Sequence, residues 1–272
     1  MTPLATTFAS LRANRQKAFI PFISLGDPSL DSTRIFLKEL ALAGATAVEL
    51  GFPYSDPIAD GAVIQASYTR ALANKTSMAD LLHFAQGLSK ESQIAQVPRL
   101  AMLSYSLIHR RGPAVFAAQA KEANIAGLIV PDLPVEESTD LLRHCKAAGL
   151  DLIQLVTPIT PRERAKRILD SSSGFVYCVS VAGITGERRE LPPELLEQLA
   201  WLKSQTDLPL CVGFGISTPD QVAMLRDHCD GVIVGSALVR LCADIGKKTV
   251  SEVAGEMGTL ARSLVQALRS PA

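Results

Sequence analysis

Eight short apolar runs, each followed by a longer segment of helical period, divide the chain from end to end. The runs are rich in β-branched residues and are apolar throughout, and they lie at 19–26, 47–52, 99–106, 127–133, 151–158, 175–182, 208–215 and 231–238. The segments between them repeat apolar residues at three and four positions, and several end at a glycine. Strands without polar alternation belong to a parallel sheet that is buried on both faces. Eight such strand-helix units in a row predict an α/β fold, the (β/α)₈ TIM barrel.

Two segments exceed what eight units need. A helical pattern precedes the first run, and the segment 61–90 is long enough for two helices. The prediction therefore adds an extra N-terminal helix and an extra helix after strand 2. No linker interrupts the series, and barrels of this kind often use roughly 250 residues as one domain, so we expect residues 1–272 to form a single TIM-barrel domain. A doubly wound open sheet is the alternative, but the sequence lacks a second half of different pattern.

Charge and hydropathy argue against several classes of partner. Lys plus Arg and Asp plus Glu both number 27, so the chain has no basic excess for nucleic acid. No apolar run approaches the ~20 residues that cross a bilayer, and the first residues lack the regions of a signal peptide. We therefore expect a cytoplasmic protein with no nucleic-acid and no membrane partner.

Cysteine and histidine usage gives no support for a metal site or a disulfide framework. The five cysteines are odd in number and have no CxxC spacing, and the four histidines are scattered without metal-ligand spacing. We expect reduced cysteines that serve packing, and no metal.

The second run leads into the stretch 49-ELGFPYSDPIADG-61, at the strand end where barrels of this kind place their chemistry. Glu49 is a charge inside an apolar run. At an interior position it would face the substrate cavity, where burial would raise its pKa and suit it to acid-base work. An ion pair that ties the strand to a helix is the alternative. Asp56 and Asp60 follow in the loop, and in their SDP and ADG contexts both could instead be turn-formers.

Glycines cluster after the last three strands. The sixth run leads into 183-GITG-186, the seventh ends in 213-GFGIST-218 and the eighth in 235-GS-236. Loops after strands 7 and 8 often bind phosphate through backbone N–H groups, although tight turns would also explain single glycines. The chain has no nucleophile elbow, Walker loop or prominent strand-top lysine. The sequence thus predicts acid-base chemistry by carboxylates on a small phosphorylated substrate.

These features resemble the tryptophan synthase alpha chain family, in order and in spacing. The resemblance runs from about residue 5 to residue 268 and is carried by the stretches 19–29, 46–61, 127–138, 183–188 and 211–218. It implies cleavage of indole-3-glycerol phosphate to indole and glyceraldehyde 3-phosphate, a retro-aldol reaction without a cofactor in this chain.

The resemblance also implies roles for individual residues. By motif match, Glu49 is the general acid and base, Asp60 is the carboxylate that binds the indole N–H, and Tyr177 is the tyrosine beside the glutamate. Other positions match the indole wall, the phosphate site and the loop that closes over Asp60. These substrate-binding positions are Phe22, Ile64, Ile129, Thr185, Gly186, Gly213, Phe214, Gly215, Ile233, Gly235 and Ser236.

Members of this family work as an αββα complex, so the resemblance implies a tryptophan synthase beta chain as partner. Pyridoxal phosphate is then expected only in that beta chain, which receives the indole. The apolar and proline-rich face formed by Phe52, Pro53, Tyr54, Pro57 and Ile58 is the predicted docking surface, with Asp56 placed to signal across it.

Two positions depart from the family's pattern. Ser104 stands where an aromatic residue is usual at the end of strand 3, unless a shift of one residue lets Tyr105 supply the ring. Ala62 stands where proline is usual after the Asp-Gly pair. Two alternatives therefore stay open: another phosphate-binding barrel enzyme, and a non-catalytic or weakly catalytic activator of the beta chain.

Overall fold

The computed structural model describes residues 1–58, 60–180, 193–213 and 215–269. Its parallel strands form one nearly closed barrel with the order β5-β4-β3-β2-β1-β9-β8-β7-β6. The strands are β1 (Ala18–Ser24), β2 (Val48–Gly51), β3 (Arg99–Met102), β4 (Ile125–Ile129), β5 (Asp151–Ile153), β6 (Leu155–Val156), β7 (Val176–Val179), β8 (Leu210–Gly213) and β9 (Gly231–Val234). The predicted TIM barrel is confirmed.

The count of eight strands needs one correction. The fifth predicted run holds two strands, β5 and β6, which are separated by Gln154. β5 pairs only with β4, and β6 pairs only with β7. This run is therefore the seam of the barrel, and predicted strands 6, 7 and 8 are β7, β8 and β9.

Twelve α-helices surround the barrel in the described part of the chain, and both predicted extra helices are present as α1 and α3. The helices are α1 (Pro3–Ala13), α2 (Leu30–Leu42), α3 (Ala62–Ala73), α4 (Met78–Gly87), α5 (Tyr105–Arg111), α6 (Pro113–Glu122), α7 (Thr139–Ala148), α8 (Arg162–Ser171), α9 (Pro193–Gln205), α10 (Pro219–Leu225), α11 (Ser236–Leu241) and α12 (Val250–Arg269).

Side chains of the strands alternate between the barrel interior and the layer of helices. On β1, Ile20 and Phe22 belong to the interior cluster, whereas Phe19 and Ile23 pack under the helices. Helix α1 adds to the interior cluster, and the ring of its Phe8 lies 5.7 Å from the ring of Phe175 at the start of β7. Because α1 covers the N-terminal end of the barrel, the interior is left accessible at the C-terminal ends of the strands.

Polar contacts hold the extra helix α3 over the top of β1. The Arg70 guanidinium makes two hydrogen bonds of 2.7 Å to the carboxylate of the buried Asp27. The hydroxyls of Ser67 and Ser24 lie 2.6 Å apart, and the Asn74 amide donates to the Gly26 carbonyl at 2.9 Å. These contacts fix the position of the helix that follows the acidic loop.

All five cysteines are free and buried. Within the described residues, no group of histidine, cysteine and acidic side chains could hold a metal ion. No helix there is both long enough and apolar enough to cross a membrane.

Candidate active site

Glu49 lies on the interior face of β2, near the C-terminal end of the strand. It is opposite Phe22 of β1 and Leu100 of β3 in the sheet register, and only 1% of its surface is exposed. Neither carboxylate oxygen has a hydrogen-bond partner among the described residues. The alternative was an ion pair between Glu49 and a basic residue of a helix. Glu49 forms no such pair with the described residues.

Burial raises the pKa of the Glu49 carboxyl from its ordinary value of 4.5 to about 8, and the negative charge of Asp60 contributes to the same shift. Glu49 consequently holds its proton at neutral pH. A carboxyl in this state can donate a proton and then act as the conjugate base.

Asp60 stands at the end of the acidic loop, one residue before the Gly61 that caps α3. Its carboxylate is buried and accepts a hydrogen bond of 3.1 Å from the hydroxyl of Tyr54. Burial raises the pKa of Asp60, the Tyr54 hydrogen bond opposes that shift, and the charge of Asp132 adds to it. Asp60 and Glu49 thus form a pair in which, within the part of the chain that the structure describes, only Asp60 has a donor to stabilise its charge.

The structure distinguishes the two aspartates, which only the family resemblance had separated. Asp56 is exposed and accepts a hydrogen bond of 2.7 Å from the adjacent Ser55 hydroxyl, which is a local loop contact. The Asp60 backbone N–H closes a turn on the Pro57 carbonyl at 3.0 Å, but its carboxylate accepts from Tyr54 and from no backbone N–H among the described residues.

Tyr177 lies on β7 and belongs to the interior cluster that contains Phe22. A Cβ atom on Gly213 of the neighbouring β8 would lie 2.4 Å from the Tyr177 hydroxyl oxygen, so glycine is needed there to admit the ring. Burial, and then the charges of Glu49 and Asp60, raise the pKa of Tyr177 well above its ordinary value. The hydroxyl therefore stays protonated beside the two acids.

Four further predicted residues line the same space. They share burial and membership of the interior cluster that contains Tyr177, and they are Phe22, Ile64, Ile129 and Ile233. Since they come from β1, α3, β4 and β9, the apolar surroundings of the two acids are built by several elements of the barrel.

The predicted phosphate positions stand above β8 and β9. Gly215 has a φ of +78°, a left-handed conformation that favours glycine, and it is exposed. Gly235 caps α11, and Ser236 is the first residue of that helix and is exposed. Thr185, Gly186 and Phe214 lie outside the described residues.

A sequence model described as "Tryptophan synthase alpha chain" matches residues 8–268. The chain belongs to the tryptophan synthase alpha chain family. It is 48% identical to the tryptophan synthase alpha chain of Rhodopirellula baltica over 98% of this chain and 99% of that one. Identity to the alpha chain of Microcystis aeruginosa is 42% over 99% of this chain and 100% of that one.

Solved structures agree with the sequence relatives. The tryptophan synthase alpha subunit of Legionella pneumophila matches with a TM-score of 0.89 and 37% identity, over 98% of each chain. A chain from the tryptophan synthase complex of Pyrococcus furiosus matches with a TM-score of 0.82 and 34% identity, over 92% of this chain and 99% of that chain. The activity is therefore that of a lyase of tryptophan biosynthesis, which cleaves indole-3-glycerol phosphate. Another phosphate-binding barrel enzyme is no longer an alternative.

Ser104, the position that departs from the tryptophan synthase alpha chain pattern, has a structural role. β3 ends at Met102, two residues before it, and the prediction that this strand continued to residue 106 is wrong because Ser104 caps α5. Its hydroxyl donates to the Asp132 carboxylate at 2.6 Å, and the Tyr105 backbone N–H donates to the same carboxylate. Tyr105 packs outside the barrel interior, so it does not supply the missing ring.

Two tyrosines of the site were not predicted as site residues. Tyr54 was assigned only to a docking surface, but its hydroxyl binds Asp60. Tyr68 was not singled out, although it lies four residues after Ile64 on α3, a spacing that puts both on one face of the helix. That spacing was the signal available in the sequence.

Ala62, the other departure from the family pattern, begins α3 as an exposed residue, and the helix starts there without a proline.

Proposed function

We propose that Glu49, Asp60 and Tyr177 carry out the cleavage of indole-3-glycerol phosphate in this chain. The observation that carries the proposal is the buried carboxyl of Glu49, which has no hydrogen-bond partner in the described structure and has a pKa of about 8. Such a group is a proton donor at neutral pH, and it stands among apolar walls that suit an indole ring.

In this mechanism Glu49 both donates and recovers the proton. Glu49 donates its proton to the indole ring carbon that bears the glycerol chain, and the ring becomes cationic. Its carboxylate then removes the proton from the adjacent hydroxyl, the carbon–carbon bond breaks, and the electron pair returns to the ring. Indole and glyceraldehyde 3-phosphate result, and Glu49 is again protonated. The sequence of steps requires no cofactor in this chain.

Asp60 has the complementary role. The ring cation places positive charge on the indole N–H, and an ionised carboxylate that accepts this hydrogen bond stabilises the charge as it forms. The Tyr54 hydroxyl favours the ionised form of Asp60. Tyr177, held protonated by burial, serves as a donor beside the glutamate.

The phosphate group is assigned to the glycines above β8 and β9. Gly235 and Ser236 begin α11, where backbone N–H groups have no helical partner, and Gly215 has no side chain to obstruct an anion. We include Gly186 and Phe214 in this site from the motif, and Thr185 as the residue that closes over Asp60.

We infer that a tryptophan synthase beta chain receives the indole in an αββα complex in the cytoplasm, with pyridoxal phosphate bound only by the beta chain. Ile58 is 92% exposed, and it lies between Pro57 and the buried Asp60 on the acidic loop. An apolar side chain in that position suits an interface that reports on the site. Solved relatives include a tryptophan synthase complex from Pyrococcus furiosus and a tryptophan synthase from Mycobacterium tuberculosis.

The test is indole release from indole-3-glycerol phosphate by the purified chain, alone and with a beta chain. We expect Glu49→Gln to reduce turnover about 10²–10⁴-fold, the usual contribution of a general acid and base, and to leave substrate binding intact. A matched control is Glu197→Gln, on the exposed face of α9. Near-normal turnover of Glu49→Gln would remove Glu49 from the mechanism. No indole from the wild-type chain, together with activation of the beta chain, would favour the non-catalytic activator.

A further inference from the structure

The hydroxyl of Tyr68 lies in the mouth of the barrel, close to the reacting groups. A Cβ atom on Gly51 would be 2.8 Å from the Tyr68 hydroxyl oxygen and 2.4 Å from the Phe22 ring. Gly51 follows Glu49 by two residues on β2, so both face the interior. The Tyr68 hydroxyl therefore lies on the open side of Glu49, in the space that a side chain at Gly51 would fill.

This hydroxyl is buried and has no hydrogen-bond partner among the described residues. Tyr68 is 1% exposed, and its oxygen has no donor or acceptor within reach in the described structure. Buried tyrosine hydroxyls normally find a partner, because an unmade hydrogen bond costs stability. The neighbouring Tyr54 follows that rule by donating to Asp60, so the exception at Tyr68 calls for a reason.

Helix α3 cannot shift to find a protein partner for this hydroxyl. The residues on either side of Tyr68 are tied to the top of β1, by the contact between Ser67 and Ser24 and by the two hydrogen bonds from Arg70 to Asp27. The hydroxyl is thus held in place for a group that is not part of the chain.

The chemistry of the surroundings identifies that group. Indole carries an N–H donor and no oxygen, and Asp60 is the acceptor assigned to it. The phosphate is assigned to the loops above β8 and β9, whereas the Tyr68 hydroxyl lies beside Gly51 at the end of β2, and β1 lies between these strands. The remaining polar atoms of the substrate are the oxygens of its glycerol chain. Burial, followed by the charges of nearby groups that include Asp60 and Glu49, raises the Tyr68 pKa, so the hydroxyl is a donor.

We propose that Tyr68 is a substrate-binding residue whose hydroxyl donates a hydrogen bond to a glycerol-chain oxygen of indole-3-glycerol phosphate. The inference rests on the proposed function of the site. The Tyr68 ring packs 5.5 Å from the Tyr54 ring and belongs to the interior cluster. Tyr68 thus adds an aromatic ring to this cluster, to which Ser104 contributes none.

The test is Tyr68→Phe, which removes the hydroxyl and keeps the ring. We expect KM for indole-3-glycerol phosphate to rise about tenfold with kcat changed less than threefold, as for a contact made equally in the ground state and the transition state. The dissociation constant of glyceraldehyde 3-phosphate should rise by a similar factor, and that of indole should change less than twofold.

The melting temperature of the free chain should rise or stay the same, since an unsatisfied buried group is removed. A merely structural hydroxyl would lower it.

Tyr105→Phe is the matched control, because that tyrosine packs outside the barrel interior, and it should leave all five quantities unchanged. If Tyr68→Phe binds glyceraldehyde 3-phosphate within twofold of the wild type, the proposal is overturned, whatever the turnover. If the wild-type chain releases no indole, the proposed function fails instead, and the binding measurement still decides the role of Tyr68.

Discussion

The protonated state of Glu49 can be tested through folding, independently of turnover. In the folded chain the carboxyl has a pKa of about 8, against an ordinary value of 4.5. Between these two pH values the folded chain holds a proton that the unfolded chain has released. Stability therefore falls as pH rises through this window, by about 1.4 kcal/mol per pH unit and about 5 kcal/mol in all. Below pH 4.5 both states are protonated and the penalty is absent.

Glu49→Gln replaces the carboxyl by an uncharged group of the same shape that does not titrate. The variant should match the wild type near pH 4.5, exceed its free energy of unfolding by about 3 kcal/mol at pH 7, and exceed it by about 5 kcal/mol above pH 8. Urea unfolding of both chains at pH 5, 7 and 9 measures these differences by linear extrapolation.

Glu197→Gln provides the matched control, because it makes the same substitution at an exposed position of α9. A difference between Glu49→Gln and the wild type that stays constant with pH would refute the reasoning. It would mean that the folded chain holds Glu49 as a carboxylate at neutral pH, which would leave the reaction without its acid.

Three further substitutions test how the site is built. Gly213→Ala puts a Cβ atom 2.4 Å from the Tyr177 hydroxyl, so we expect displacement of that ring and a fall of about 10²-fold in indole release; turnover within threefold would contradict the close contact. Gly255→Ala, at a helical glycine with open space around it, should instead raise the free energy of unfolding by about 0.5–1 kcal/mol with normal turnover. Arg70→Leu leaves the carboxylate of Asp27 buried without its partner, and it should lower that free energy by about 3–5 kcal/mol in urea unfolding; a loss below 1 kcal/mol would show that the pair does not hold α3.

The barrel could be predicted because its signal is local and repeated. Each strand run is apolar, each helix has its own period, and one order of elements closes a parallel sheet. The seam at Gln154 could not be found in this way. The run 151–158 is apolar on both sides of that residue, and the break arises because one half pairs with β4 and the other with β7. Pairing between distant strands leaves no mark on the local pattern.

The site was predicted in part, for a similar reason. Glu49 was found because a charge within an apolar strand is rare and needs an explanation. The local context could not separate Asp56 from Asp60, since both stand in turn-forming contexts; the family resemblance chose Asp60, and in the structure the contact with Tyr54 distinguishes it. Tyr68 fits a helix face that packs on a core, and nothing in its spacing reveals that its hydroxyl has no partner.

The two acids of the site share one proton at neutral pH, and the structure determines which of them holds it. Burial disfavours the charged form of both carboxyls, but among the described residues only Asp60 receives a hydrogen bond that offsets the effect, from Tyr54. Asp60 therefore ionises first, and its charge then raises the pKa of Glu49 further. The proposed cleavage needs this asymmetry, because in it one acid delivers a proton to the ring while the other stabilises the cation that results. The tyrosine that distinguishes the two acids belongs to the same loop as the exposed Ile58, so a partner bound to that loop would act directly on the distribution of the proton.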